Sequence, residues 1–168
     1  MDNQEHQIIM LFGTFDHLHA GHENVFTQAR ALARRFAKPL IVAVVARDKT
    51  VKQIKSKTPD NPEKTRIKNL EETLWANIVL LGEKRDKYKA IRKYRPTIIA
   101  LGYDQFVFTP QLEKLIIDLN LDTKIVRLVP YRPEIYKSSL IREKNDKFTS
   151  IPTAKKSFNI KSVQPVQK

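Results

Sequence analysis

The residue types best suited to chemistry lie close together near the start of the chain. Residues 13–22 read GTFDHLHAGH and contain three of the four histidines, His17, His19 and His22. The chain has only four glycines, and two of them lie in this stretch. His19 and His22 are three residues apart, so their rings share one face of a helical first turn. Imidazole N–H groups there can donate to phosphate oxygens and stabilise charge that develops in a reaction.

The backbone around these histidines also favours a phosphate ligand. A helix N-terminus carries unpaired N–H groups and a partial positive charge, and both attract anions. Gly21 has no side chain, so a ligand can approach the backbone closely at this position. Gly13 and Thr14 allow the end of the preceding apolar run to pass near the same phosphates. The stretch therefore predicts a phosphate-binding turn.

The elements that would position these residues are strands and helices. Apolar runs and helical patterns alternate along the chain. Apolar runs predict strands at residues 8–15, 40–46, 78–81, 97–101 and 124–129. Helical periodicity predicts helices at residues 23–36, 62–74, 86–94, 110–119 and 138–143. This alternation predicts an α/β fold with a five-stranded parallel sheet covered on both faces by helices. Such sheets bind ligands at the carboxyl ends of their strands, which is where residues 13–22 fall.

Composition limits the class of protein. The 168 residues suffice for one domain with a substantial core, and 41% of them are apolar. There is no cysteine, which excludes disulfides and thiolate chemistry. No window approaches the roughly 20 apolar residues that cross a bilayer, and the polar N-terminus is unlike a secretory signal. We expect a cytoplasmic protein with no membrane partner.

The chain is strongly basic, with a formal net charge of +13. Such a charge fits a basic surface together with an anionic ligand, whereas basic composition alone is a weak sign of nucleic-acid binding. After about residue 145 the helical and strand patterns end and lysines and prolines remain. We predict one domain over residues 1–145 and a flexible basic tail over residues 146–168.

Other interpretations of the histidines remain open. Each ring could be an ordinary core or surface residue. His19 and His22 could also be metal ligands, but their spacing supplies only two, and His17 or a carboxylate would have to be the third. The order of strand, Gly-Thr, His-x-Gly-His and helix favours a phosphate site over these alternatives.

The stretch GTFDHLHAGH resembles the signature of the cytidylyltransferase-like nucleotidyltransferase superfamily. That resemblance implies a Rossmann-like, three-layer α/β/α fold and the transfer of AMP or CMP from ATP or CTP to a phosphate-bearing acceptor. The FD-x-LH-x-GH form is similar to the branch of glycerol-phosphate cytidylyltransferases and archaeal-type FAD synthases. The implied catalytic residues are His19, His22 and Thr14, and the implied nucleotide-binding residues here are Gly13, Thr14, Phe15 and Gly21.

A second match lies near the end of the predicted domain. Residues 137–142, KSSLIR, are similar to the family's Ser-Ser/Thr-x-Ile-Arg motif, which holds the β- and γ-phosphates. Ser138 suits a helix N-cap and Arg142 can bind phosphate as a fork. The resemblance implies that Ser138, Ser139 and Arg142 bind the leaving pyrophosphate. Lys137 stands where many members have a serine.

The segment after the second strand carries the family's basic residues. Family members place lysines in a loop there, and these reach the triphosphate or the acceptor phosphate. Lys55 and Lys57 are the candidates for catalysis, with Lys52 as a further lysine of the same loop. Arg47, Asp48 and Arg66 match recurring family positions and are implied to contact the nucleotide or support the site.

The end of the fourth strand distinguishes the branches. Residues 102–105, GYDQ, resemble the equivalent stretch of archaeal-type FAD synthases, whereas glycerol-phosphate cytidylyltransferases tend to have a tryptophan after the aspartate. Gly102 and Asp104 are implied to bind nucleotide, and Tyr103 and Gln105 to support the acceptor side. This difference favours adenylyl transfer to FMN.

The resemblance implies a direct in-line reaction. The acceptor phosphate attacks the α-phosphorus, and the predicted partners are ATP or CTP and FMN. Mg²⁺ is expected on the substrate phosphates with no protein metal ligand, and Asp16 is expected to brace its loop. The resemblance also implies a homodimer, since relatives often form dimers. The alternatives are a CTP-dependent enzyme acting on glycerol 3-phosphate or a sugar phosphate, and a catalytically silent nucleotide- or RNA-binding module.

Overall fold

The computed structural model describes residues 6–105 and 109–136. Its strands are β1 (Gln7–Gly13), β2 (Pro39–Val45), β3 (Ile78–Leu81), β4 (Ile98–Leu101) and β5 (Lys124–Arg127). They pair in parallel in the order β3-β2-β1-β4-β5. The predicted five-stranded parallel sheet is confirmed. The chain moves outward from β1 to β3 and then returns to the other side of β1, so the topological switch point lies between β1 and β4.

Helices connect the strands. They are α1 (Ala20–Ala33), α2 (Asp48–Lys55), α3 (Glu63–Thr73), α4 (Lys89–Tyr94) and α5 (Thr109–Asp118). The predicted helices at 23–36 and 86–94 begin at different residues in the structure, at 20 and 89. The predicted helix at 138–143 and the tail at 146–168 lie outside the described residues.

The apolar strand residues alternate between two cores, one on each face of the sheet. On one face, Ile9 and Leu11 of β1 pack with Phe26 of α1 and Leu70 of α3. On the other face, Ile8 and Met10 pack with residues of α4 and α5. The inner strands are buried on both sides, which is why they read as continuous apolar runs. The result is the three-layer arrangement that the sequence predicts.

The segment after β2 departs from its prediction. The sequence predicts a basic loop containing Lys52 and Lys55, but this prediction is wrong because both residues lie in α2. This helix has only eight residues and only Val51 of them is buried, so its apolar pattern is short. Its first turn is capped by a distant side chain, Glu63, rather than by a local residue that the sequence pattern could reveal.

None of the helices within the described ranges is long and apolar enough to span a membrane.

Candidate functional site

His19 begins α1 and caps it with its own ring. Its Nδ1 accepts a hydrogen bond of 3.0 Å from the backbone N–H of Gly21. An accepting Nδ1 leaves the proton of the neutral ring on Nε2, so Nε2–H is the donor that this ring can present to a ligand. A Cβ on Gly21 would lie 2.8 Å from Cε1 of His19. The glycine is therefore required for the ring to cap the helix.

His22 lies against His19, with ring centroids 4.0 Å apart. Its Nδ1 is buried and has no hydrogen-bond partner among the described residues. Buried polar atoms in folded proteins are nearly always paired, so an unpaired one beside a cleft points to a ligand.

Both rings are uncharged near neutral pH. Burial lowers the pKa of His19 from 6.5 to about 4, and His17 contributes to this. Burial, followed by the nearby His19 and Lys55, lowers the pKa of His22 from 6.5 to about 3. The backbone of His17 and the carboxylate of Asp16 oppose this shift only partly. The pair therefore offers neutral N–H donors rather than fixed positive charges.

The turn between β1 and α1 is shaped by Gly13 and Phe15. Phe15 has a positive φ of 51° and is buried. Its ring folds back over Gly13, where a Cβ would lie 2.6 Å from Cζ. The same ring packs against His22, with centroids 5.6 Å apart. The close approach of strand end and ring thus requires glycine, and it places Phe15 beneath the histidine pair, on the lining of the cleft.

Asp16 is buried and fixes the loop that precedes α3. Its carboxylate accepts from the backbone N–H of Asp60 at 2.8 Å and of Asn61 at 2.9 Å. It also accepts from the Asn61 side chain at 3.0 Å. His17 adds a 2.7 Å contact between its Nε2 and Asp60 Oδ2. These bonds give Asp16 the geometry of a brace and leave its oxygens committed to the loop.

Arg66 is fully buried and ties this turn to the end of β2. Its guanidinium donates to the backbone carbonyls of Thr14, Ala46 and Asn61. It also pairs with Asp48 at 2.8 Å. These bonds engage all three guanidinium nitrogens, and Arg66 does not line the cleft. The arginine therefore holds the turn in place and is not positioned to touch a ligand.

The N-termini of α2 and α3 cap each other. Glu63 Oε2 accepts from the Asp48 N–H at 3.0 Å, and Asp48 Oδ2 accepts from the Glu63 N–H at 3.2 Å. Arg47 joins the pair by donating to Glu63 at 2.9 Å and to the Gly82 carbonyl at 2.6 Å. This reciprocal arrangement fixes α2 and the lysines that it carries against the carboxyl edge of the sheet.

The end of β4 is linked to β1 by one amide side chain. Gln105 Oε1 accepts from the Gly102 N–H at 2.9 Å, and its Nε2 donates to the Phe12 carbonyl at 2.7 Å. The bond crosses the switch point, where the ends of neighbouring strands diverge. Tyr103 and Asp104 lie in the same turn, and burial raises the pKa of Tyr103 above its usual value.

These elements enclose a cleft of about 600 Å³ over the carboxyl edge of the sheet. The histidine pair stands on one side, and Lys55 and Lys57 stand on the α2 side. Apolar and aromatic side chains also line the cleft, including Ile54, Tyr88 and Leu112. A cleft of this size holds a ligand of nucleotide or cofactor dimensions.

The cleft brings together most of the predicted site residues within the described ranges. Those on its lining are Gly13, Thr14, Phe15, Asp16, His19, Gly21, His22, Arg47, Lys55, Lys57, Gly102, Tyr103, Asp104 and Gln105. Asp48 and Arg66 support it from behind. Ser138, Ser139 and Arg142 lie outside the described residues, and their proposed role stays a prediction.

Several residues of the site have no obvious sequence signal. Asn61 and Glu63 act through contacts with residues more than ten positions away, so local patterns do not reveal them. Tyr88 and Tyr136 line the cleft but stand in segments without a recognisable motif. Only the Asp-Asn-Pro sequence before α3, typical of a turn, could have indicated Asn61.

A His-x-Gly-His turn at the switch point of a parallel sheet defines a nucleotide-binding α/β protein. The family profile described as Cytidylyltransferase-like matches residues 10–144 of this chain. The chain therefore belongs to the cytidylyltransferase-like family.

Named relatives come from several archaea. The chain is 33% identical to an FAD synthase of Picrophilus torridus over 136 residues, covering 81% of this chain and 94% of that protein. It is 37% identical to an FAD synthase of Korarchaeum cryptofilum over 137 residues, covering 80% and 88%. A solved structure, a lipopolysaccharide core biosynthesis protein from Thermoplasma volcanium, matches with a TM-score of 0.66 and 33% identity, covering 74% of this chain and 98% of that chain.

Proposed function

We propose that this chain is an FAD synthase, an enzyme that transfers the adenylyl group of ATP to FMN and releases pyrophosphate. The observation that carries the proposal is the histidine pair, two neutral N–H donors at a helix N-terminus on the carboxyl edge of the sheet. The relatives described as FAD synthases support the choice of ATP and FMN.

The reaction needs positioning and charge stabilisation rather than an enzyme nucleophile. A phosphate oxygen of FMN attacks the α-phosphorus of ATP in line, and the bond to the β-phosphate oxygen breaks as pyrophosphate leaves. His19 and His22 donate to oxygens on which negative charge increases. Lys55 and Lys57 reduce the repulsion between two anionic substrates. Arg66 holds the backbone of Thr14, and this positions the turn that would lie beneath the α-phosphate.

The apolar side chains of the cleft suit the flavin ring. Ile54 and Tyr88 offer carbon surface on the lining of the cleft. An isoalloxazine is large and planar, so it gains most from such a surface. This arrangement supports an acceptor with a large aromatic group over a small polyol phosphate.

We propose that Mg²⁺ binds through the substrate. When bound there, it would supply positive charge that offsets the charge of the phosphates. Among the described residues, the group able to offer three ligand atoms is Asp16, His17 and Asp60. The oxygens of Asp16 are already committed to the backbone of the loop. Triphosphate oxygens and water therefore remain the fitting ligands. A cytoplasmic location and a homodimer stay predictions.

The test is a matrix of donors and acceptors assayed in Mg²⁺ for pyrophosphate and for the product. ATP and CTP are each paired with FMN, glycerol 3-phosphate and a sugar 1-phosphate. We expect pyrophosphate and FAD in equal amounts from ATP with FMN. A folded protein that releases no pyrophosphate from any pair, while it still binds RNA in a salt-dependent way, would instead be the silent binding module.

A second candidate is nucleotidyl transfer to a sugar phosphate. The Thermoplasma volcanium structure, whose description names lipopolysaccharide core biosynthesis, favours it. In the same matrix, product formation from the sugar phosphate and not from FMN would select this candidate. The histidine pair and lysines would keep the roles given above.

A further inference from the structure

Four aromatic rings form a row that runs outward from the floor of the cleft. His22 contacts His19 at a centroid distance of 4.0 Å. His19 stacks on Tyr136 at 5.9 Å with an interplanar angle of 18°. Tyr136 in turn stacks on Tyr131 at 5.8 Å and 16°. The His19 imidazole is therefore enclosed between a buried ring and a tyrosine from the segment after β5.

Tyr136 and His19 both pack against the backbone at Gly21. A Cβ built on Gly21 would lie 2.8 Å from His19 Cε1 and 3.2 Å from Tyr136 Cβ. The tyrosine thus packs against the first turn of α1 at the residue whose N–H the imidazole caps. The imidazole thus has a neighbouring ring on each side, and this restricts its rotation away from the cap.

We propose that Tyr136 is a positioning residue that holds His19 in the orientation in which Nδ1 caps α1 and Nε2–H stays available to substrate phosphate. This rests on the proposed nucleotidyl transfer. The aromatic ring of Tyr136, and not its hydroxyl, holds the imidazole, since the contact between them is a stack. In the sequence, Tyr136 comes directly before the predicted phosphate motif at residues 137–142.

The ring also shields His19 from water. Burial is the main cause that lowers the pKa of His19 to about 4. The titratable groups near it within the described residues are His17 from the same turn, His22 from α1 and Tyr136 from beyond β5. Loss of the tyrosine ring would hydrate the imidazole, so its pKa should rise toward 6.5.

The experiment compares Tyr136→Leu, Tyr136→Phe and the control Ile135→Ala. Ile135 is the neighbouring residue, is exposed and does not line the cleft. Each variant is assayed for kcat and KM with ATP and FMN. The His19 ring is followed by NMR between about pH 5 and 7, and its signal is assigned with a His19→Asn sample.

We expect Tyr136→Leu to lower kcat about tenfold with a smaller change in the KM for ATP. We also expect its His19 ring to titrate in this pH range, where the wild-type ring stays neutral. Tyr136→Phe and Ile135→Ala should match the wild type in both measurements. Since Tyr136 is only half-buried, the leucine variant should fold, and circular dichroism checks this.

Unchanged kcat and an unchanged His19 titration in Tyr136→Leu would overturn the proposal. So would an equal loss in Tyr136→Phe, which would assign the effect to the hydroxyl. If the wild type transfers no nucleotidyl group, the proposed function fails, but the titration still decides whether the tyrosine holds the ring.

Discussion

Two sets of polar side chains serve the same cleft, and they differ in how they are paired. The histidine pair, His19 and His22, faces the cleft with a donor to spare on one ring and a buried unpaired Nδ1 on the other. The arginine cluster, which we define as Arg66, Asp48 and Glu63, lies behind the cleft and finds its partners within the protein. Both sets fix the same turn after β1.

This difference separates the groups that act on substrate from those that position them. A buried donor bonded to protein stabilises the fold, whereas an unpaired one carries a free-energy cost that a ligand can relieve. Changes in the arginine cluster should therefore reduce stability first, and changes in the histidine pair should reduce turnover with little loss of stability.

The largest effect is expected for Arg66→Met. This change removes the bonds to three backbone carbonyls and leaves Asp48 without its buried partner. We expect the free energy of unfolding, measured by urea denaturation, to fall by about 3 kcal/mol. Lys68→Met on the exposed face of α3 is the control and should change it by less than about 0.5 kcal/mol, because its ion pair with Glu72 is solvated. Equal losses in the two variants would contradict the role given to Arg66.

His22→Asn should separate activity from stability. Loss of the imidazole donor is expected to reduce kcat about 100-fold, the scale for losing one such donor. The free energy of unfolding near neutral pH should change by less than about 1 kcal/mol, since the ring contributes an unpaired buried nitrogen. His6→Asn, exposed and far from the cleft, is the control for steady-state assays. A folded His22→Asn protein with wild-type kcat would remove the histidine from the mechanism.

Gln105→Ala tests the link across the switch point. The change removes both the bond to the Gly102 N–H and the bond to the Phe12 carbonyl. We expect kcat/KM to fall about tenfold, because a small displacement of β4 from β1 misplaces the substrates. Gln53→Ala on exposed α2, which does not line the cleft, should have no effect on the same steady-state measurement. A loss of stability with unchanged kcat/KM would make Gln105 a purely structural residue.

The smallest expected effect is on the pH dependence of stability. The folded-state pKa values of His19 and His22 lie near 4 and 3, below the unfolded value of 6.5. The unfolded chain therefore binds more protons below pH 6.5, and the free energy of unfolding falls as the pH decreases. In the wild type, the free energy of unfolding should therefore be lower at pH 5 than at pH 7. We expect His22→Asn to reduce this difference by about 1–2 kcal/mol, measured by urea denaturation. An identical pH dependence in both proteins would show that the ring is not protected from protons.

Much of the fold could be predicted because its signals are local. Strands β1 to β4 each contain a continuous apolar run, and the β3 prediction agrees with the structure residue for residue. The sequence pattern predicts the start of α1 three residues late because its N-cap is the histidine ring, a residue type seldom found there. Helix α2 was missed because its cap comes from Glu63, and no local pattern records a contact across 15 positions.

The candidate site also contains residues that local sequence reveals and residues that only the structure reveals. His19, Gly21 and His22 were identified because their order in the chain carries the geometry of a strand-to-helix turn. Arg66 was placed at the site by resemblance alone, and only the structure shows that it faces the backbone. The stack of Tyr136 on His19 depends on two segments more than a hundred residues apart, so only the folded chain reveals it.

The most direct test of the difference between the two sets is an NMR titration of one sample with Mg²⁺ and ATP, in the absence of an acceptor. The ring nitrogens of His19 and His22 and the Nε–H of Arg66 are observed together. We predict that both imidazoles shift with a common saturating dependence on ATP while the Arg66 signal stays in place. Saturable binding that moves Arg66 and leaves both imidazoles unchanged would contradict the assignment of the histidine pair to substrate and of the arginine cluster to support.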